Sequence, residues 1–155
     1  MSGGKLVLTW WNFEQWMGSL VTKLQREHPQ LKAVYGPERG GSVPAVVLSH
    51  RLKLEYLDWA EVQAFTLGGK PKYAPNEVLV VDEIVDSGET LAGILDTLPR
   101  GVVTACWVAK AGPMSQFPAL IAHMSFPENN NDWLIFPWED RRGWEADKEG
   151  YASRQ

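Results

Sequence analysis

The chain of 155 residues has a single cysteine, Cys106, set in the apolar run ACWVA. A disulfide framework is therefore excluded, a reducing compartment fits, and Cys106 reads as a small core residue. No apolar run approaches the length that spans a bilayer, and MSGGKLVLTW lacks the long apolar stretch of a signal peptide. These absences predict a soluble, cytoplasmic protein without a membrane partner. Positive charge is not in excess either: 15 Lys and Arg face 19 Asp and Glu, a net charge of −4, which gives no footprint for nucleic acid. His28, His50 and His123 have neither metal-ligand spacing nor a loop placement that suggests catalysis. Neither a repeat nor a low-complexity tract is present. What is abundant is tryptophan, with 8 residues, several beside Pro, Asn or Asp, which hints at exposed or ligand-facing rings among the packing ones.

Periodicity and punctuation give the order of elements. Lys5 to Leu8 reads as a short edge strand. Asn12 to His28 carries a helical stripe of Phe13, Trp16, Met17, Leu20, Val21 and Leu24 and stops at Pro29. A strand at Lys32 to Tyr35 leads into the glycine-rich loop Gly36 to Ser42 and a helix from Ser42 to about Leu52. A further strand covers Leu54 to Leu57. Residues 59 to 77, with Gly68, Gly69, Pro71 and Pro75, show no sustained period and predict a mobile loop or loose hairpin. Glu77 to Val81 and Val102 to Ala109 are continuous apolar strands of the kind buried on both faces of a parallel sheet. Between them lies a helix from Gly88 to Leu98, and after them a weaker strand at Ile121 to Phe126. This alternation predicts one α/β domain with a mainly parallel sheet flanked by helices, a core over about 5–127 and a small C-terminal cap over about 128–155 that includes a short strand at Trp133 to Phe136.

In open parallel sheets ligands bind beyond the carboxyl ends of the strands. The first such segment is Asp82-Glu83-Ile84-Val85-Asp86-Ser87-Gly88-Glu89-Thr90, read as a loop directly after the strand Glu77 to Val81. Ser87, Gly88 and Thr90 at a helix start offer N–H groups and hydroxyls to a phosphate, with roughly 0.3–1 kcal/mol from the helix dipole. The adjacent carboxylates Asp82 and Glu83 suit vicinal ribose hydroxyls, directly or through hydrated Mg²⁺, and would repel a bare phosphate beside them. Alone, acids and small residues at this place are also common helix caps. A second loop, Gly36-Pro37-Glu38-Arg39-Gly40-Gly41-Ser42, brings backbone amides and a forked guanidinium to one place, a cradle for pyrophosphate. A third begins at Lys110-Ala111-Gly112-Pro113, where a lysine at a strand end can donate to a carbonyl.

The full string VLVVDEIVDSGET, Val78 to Thr90, closely resembles the phosphoribosyl-diphosphate signature of the type I phosphoribosyltransferases. A receiver domain also places acids after a strand, but it needs a phosphoacceptor Asp where Val102 to Ala109 ends, and none is there. The segment Val34 to Ala45 resembles the family's pyrophosphate loop, with Arg39 in the basic position and Glu38 departing from the commoner small or apolar residue, so the Glu38 side chain is expected to turn away. Lys110 together with Asp132 to Asp140 resembles the purine site of the xanthine-guanine-hypoxanthine branch, and the resemblance as a whole covers roughly residues 5–140.

The resemblance implies a Mg²⁺-dependent transferase that moves the 5-phosphoribosyl group from phosphoribosyl diphosphate to a 6-oxopurine, releasing pyrophosphate, and works as a homo-oligomer, a dimer or tetramer. By it, Asp82 and Glu83 hold the ribose and Ser87, Gly88, Glu89 and Thr90 the 5′-phosphate. Glu38, Arg39, Gly40 and Gly41 hold pyrophosphate, Asp86 is the general base, and Arg39 helps neutralise the leaving group. Lys110 meets the 6-oxo group, Trp133 stacks on the base for about 1–3 kcal/mol, Leu134 and Asp140 give edge contacts, and Asp82 and Asp140 serve the metal, partly through water. The loop from Trp59 to Asn76, with a Gly68-Gly69 hinge and Lys70, Lys72 and Tyr73, stands where the family has a lid; it is short and lacks the usual Ser-Tyr pair. A donor-binding regulator without turnover, or a transferase for another base, are the competing readings.

Overall fold

The computed structural model describes residues 3–65 and 71–139. In chain order the elements are β1 (Lys5–Val7), α1 (Trp10–Glu27), β2 (Ala33–Tyr35), α2 (Ser42–Arg51), β3 (Glu55–Tyr56), α3 (Trp59–Ala64), β4 (Val78–Val85), α4 (Glu89–Thr97), β5 (Val103–Lys110), α5 (Ala111–Gln116), β6 (Ile121–Phe126) and β7 (Trp133–Ile135), with a 3₁₀ turn at Pro75–Glu77 before β4. The chain divides into a larger unit, Trp16–Glu128, and a smaller one formed by the residues up to Gln15 with those from Asn129 on. Among the described residues no helix is long and apolar enough to cross a membrane.

The larger unit is a five-stranded sheet in the order β3-β2-β4-β5-β6 with every pairing parallel, as the alternation of strands and helices predicts. Its centre is β4 and β5, whose apolar runs are buried almost throughout, because crossover helices cover both faces of such a sheet. Beneath them Trp16 and Trp107, both fully buried, stack with ring centroids 5.2 Å apart. Cys106, beside Trp107 on β5 and so on the opposite face of the sheet, is also buried, and burial pushes its thiol up to about 12, so it is inert packing. The smaller unit pairs β1 with β7 in parallel, Lys5 opposite Trp133, and packs Phe13 and Phe136 against Trp138.

Three segments differ from the sequence reading. Helix α1 begins at Trp10, not Asn12, because Thr9 caps it: the Thr9 N–H donates to Asn12 Oδ1 at 2.9 Å and the Asn12 N–H to Thr9 Oγ1 at 3.2 Å. Strand β4 continues to Val85, so Asp82 and Glu83 lie on the strand and not in a loop beyond it. The partner strand decides this, since β5 supplies hydrogen-bonding register as far as Val85 opposite Ala109. Finally, residues 59–64 form a helix where an irregular loop is predicted. Its start is a reciprocal capping box, in which the Glu61 N–H donates to Asp58 Oδ1 and the Asp58 N–H to Glu61 Oε2. Downstream, Lys72 pairs with Glu55 at 2.7 Å and the Tyr73 hydroxyl bonds the same carboxylate. The Gly68-Gly69 hinge and Lys70 lie outside the described residues, as do Asp140 and the tail 141–155.

Helix α2 ends in a left-handed turn. Lys53 has φ 54°, while the Leu54 N–H donates back to the Ser49 carbonyl at 3.0 Å and the Leu52 N–H to Leu48 at 2.9 Å. A side chain in this conformation costs about 1–2 kcal/mol, against roughly 0.5–1 kcal/mol for the extra freedom glycine has when unfolded. Lys53→Gly is therefore expected to raise the stability by about 0.5–1 kcal/mol in urea unfolding; an unchanged or lower midpoint would contradict this account of the turn.

Candidate active site

The carboxyl ends of β2, β4 and β5 lie side by side, and this neighbourhood brings distant residues together. The loop after β2 and the run at the end of β4 enclose a cavity of about 210 Å³. Pro37 and Glu38 line it from one side, and Asp82 to Gly88 with Thr90 and Leu91 from the other. Of the residues singled out in the sequence, Glu38, Asp82, Glu83, Asp86, Ser87, Gly88 and Thr90 thus share one cavity. Glu38 is exposed and belongs to the lining. Arg39, Gly40, Gly41 and Glu89 are not among the lining residues; Arg39 is exposed, and the peptide between Glu38 and Arg39 is cis. The apolar members Pro37, Ile84, Val85 and Leu91 drew no attention in the sequence, because nothing about an aliphatic residue there separates cavity wall from core.

The acidic pair lies on a single strand, β4. The Glu83 N–H donates to Asp82 Oδ1 at 2.8 Å, and Glu83 Oε2 is buried without a hydrogen-bond partner. A buried carboxylate oxygen left unbonded is costly, which marks a place where a ligand's donors are expected. The Glu83 carboxylate lies so close to the Gly40 backbone that a β-carbon built on Gly40 would overlap it. The approach joins residues far apart in sequence, so no single segment of sequence could reveal it.

At the opposite end of the run, Gly88 takes φ 87° as the cap of α4, a conformation that glycine adopts without strain. A β-carbon there would crowd Gln116 and Phe117 of the α5 segment. The Glu89 N–H donates to Ser87 Oγ at 3.3 Å, so Ser87 already serves one of the N–H groups at the helix start. The start of α4 faces the cavity through Thr90 and Leu91. Lys110 ends β5, and its Nζ meets Asp86 Oδ1 at 2.7 Å. α5 then follows at once, where a loop beginning at Ala111 is expected; Pro113 falls within its first turn and does not oppose it. Trp133 and Leu134 are in β7 of the smaller unit, with Trp133 exposed.

The site thus combines a helix start, an adjacent carboxylate pair, and an acid with a lysine at adjoining strand ends. No protein-family model matches the chain. The xanthine-guanine phosphoribosyltransferase of Cereibacter sphaeroides is 30% identical over 121 residues, covering 70% of this chain and 69% of that protein. This chain belongs to the xanthine-guanine phosphoribosyltransferase family. The Vibrio atlanticus protein of the same name is 24% identical over 145 residues, 87% of this chain and 89% of its own. Among solved structures, a purine phosphoribosyltransferase from Pyrococcus horikoshii superposes with a TM-score of 0.66 at 25% identity, covering 88% of this chain and 94% of the other. The type I phosphoribosyltransferase fold expected from Val78 to Thr90 is thus the observed one.

Within the family frame, the acidic pair carries a measurable electrostatic penalty. Burial, then hydrogen bonding with Glu83, then its charge push the Asp82 carboxyl up to about 9. In the unfolded chain an aspartate ionises near about 4. The folded protein therefore binds more protons than the unfolded one between these values, and stability falls as pH rises across that window. Asp82→Asn removes the titration. Its thermal midpoint should exceed that of the unaltered protein at pH 8, with the gap closing as the pH is lowered to 4; a gap of equal size at both pH values would contradict the shift.

Proposed function

We propose that this protein transfers the 5-phosphoribosyl group from phosphoribosyl diphosphate to a 6-oxopurine, guanine, xanthine or hypoxanthine, with release of pyrophosphate. The observation that carries the proposal is the Lys110–Asp86 contact at 2.7 Å beside the acidic cavity. It sets a group able to donate to a 6-oxo oxygen next to one able to take a proton from the imidazole edge of the same base. The relatives' names point to two of these acceptors, xanthine and guanine.

The reaction makes a bond from a purine nitrogen to the anomeric carbon as the bond to pyrophosphate breaks, so positive charge builds on the sugar and negative charge on the leaving group. In this reading Asp82 and Glu83 accept from the ribose hydroxyls, which supplies the partner that Glu83 Oε2 lacks. Ser87, Gly88, Glu89 and Thr90 receive the 5′-phosphate at the start of α4. Gly40 offers its amide to pyrophosphate, while Gly41, whose N–H donates to the Pro37 carbonyl at 2.9 Å, holds the turn, with Glu38 contributing main chain and Arg39 its charge. Asp86 takes the proton of the base nitrogen.

Four acidic residues, Glu38, Asp82, Glu83 and Asp86, line the cavity, and none of its lining residues is a lysine or arginine. An anionic donor entering it needs a cation. Among the described residues no cluster of three ligating side chains could hold a metal by itself. Magnesium fits this case, since it binds through one or two carboxylates, waters and the substrate's own phosphates. Asp82 would hold it through water, and when bound it would supply charge neutralisation for the pyrophosphate. In the cell the protein is expected to be a cytoplasmic salvage enzyme, a dimer or tetramer.

Purified protein with Mg²⁺ and donor should release pyrophosphate and form a nucleotide with at least one of the three bases. Donor binding without nucleotide from any of them would replace the enzyme with a donor-binding regulator. Asp86→Asn should keep donor affinity while turnover falls by about 10²–10⁴; unchanged turnover would remove Asp86 from the reaction.

A further inference from the structure

The pair Lys110–Asp86 has a consequence beyond recognition of the base. Strands β4 and β5 run parallel with Val85 opposite Ala109, so the residues that follow, Asp86 and Lys110, emerge side by side at the same sheet end. Register therefore builds the contact. The Lys110 side chain is 28% exposed and the Asp86 side chain 61%. A held ammonium is bound to a carboxylate that water still reaches.

This exposure poses a chemical problem if Asp86 is the base of the proposed reaction, on which the inference rests. A group placed to take a proton from a purine nitrogen near the anomeric carbon can also take one from water. The water oxygen would then bond to the anomeric carbon. The bond to pyrophosphate would break with its electron pair leaving on pyrophosphate, and the water's proton would pass to Asp86. Ribose 5-phosphate and pyrophosphate result, and the donor is wasted.

We propose that Lys110 is a positioning residue that withholds Asp86 from water until an acceptor arrives. With no purine bound, Lys110 Nζ occupies Asp86 Oδ1 and fixes the carboxylate toward the end of β5. An incoming 6-oxo oxygen accepts from the same ammonium, draws it off, and releases Asp86 when a purine nitrogen is in place to use it. The acceptor carbonyl thereby switches on the base. Because the pair is partly exposed, its hold on the carboxylate is modest, which bounds the effect at about fivefold.

The test is acceptor-free hydrolysis by the full chain with Mg²⁺ and phosphoribosyl diphosphate, followed as ribose 5-phosphate and pyrophosphate. Lys110→Met is expected to hydrolyse donor about fivefold faster than the unaltered protein. Lys110→Arg, which keeps the charge, should restore the slow rate, and Lys110→Met combined with Asp86→Asn should abolish the gain. Hydrolysis by Lys110→Met at or below the unaltered rate would overturn the proposal. So would a gain that survives Asp86→Asn, since it would not run through that carboxylate. Lys110→Gln serves in the same comparison if circular dichroism shows Lys110→Met to be misfolded. No base is present in this assay, so failure to make a nucleotide from any purine would count against the proposed function alone, and the hydrolysis rates would still decide this one.

Discussion

Where β2 and β4 lie next to one another, a carboxylate and a glycine backbone occupy almost the same space. Glu83 sits at the end of β4, Gly40 in the loop after β2, and there is no room between them for a β-carbon. Much of the site depends on this approach. It sets Gly40 against Glu83 where the cavity has one wall from Pro37 and Glu38 and another from the end of β4. It also keeps Glu83 Oε2 away from water and from any partner in the protein. The parallel order β2-β4-β5 is what makes the approach possible, because it delivers three carboxyl ends to one place.

The arrangement stores unfavourable electrostatics. Asp82 and Glu83 are adjacent along the chain, half-buried, and too crowded for both to be charged at ease, as the raised Asp82 carboxyl shows. A fold under selection for stability alone would place apolar or hydrogen-bonded residues there. Groups whose unmet hydrogen bonds and charge are relieved by a ligand are characteristic of binding sites, and here a sugar's hydroxyls and a cation would relieve both. The Lys110–Asp86 pair shows the same economy, with one contact linking the end of β5 to the run after β4.

Much of this was legible in the chain, and unevenly so. The buried strands β4 and β5 were readable because continuous apolar runs of that length have few other uses, and Val78 to Thr90 carried its chemistry in consecutive residues. Boundaries set by partners were less readable. Asp82 to Val85 looks like a loop by composition and is a strand because β5 lies beside it. Residues 59–64 look irregular, yet a capping box between Asp58 and Glu61 starts a helix. The contacts of Gly40 with Glu83 and of Lys110 with Asp86 join residues far apart in sequence, so register, and not local pattern, creates them.

The most direct check on the central claim, that the β2 loop and the β4 acids together form the donor site, is calorimetric titration of Gly40→Ala with phosphoribosyl diphosphate and Mg²⁺. The added methyl must displace the Glu83 carboxylate at the end of a flexible side chain, so the fold should survive. The account predicts a donor affinity lower by about tenfold or more, the worth of a hydrogen bond to a charged group, with a thermal midpoint close to that of the unaltered protein. Undiminished donor affinity in a folded Gly40→Ala protein would contradict it.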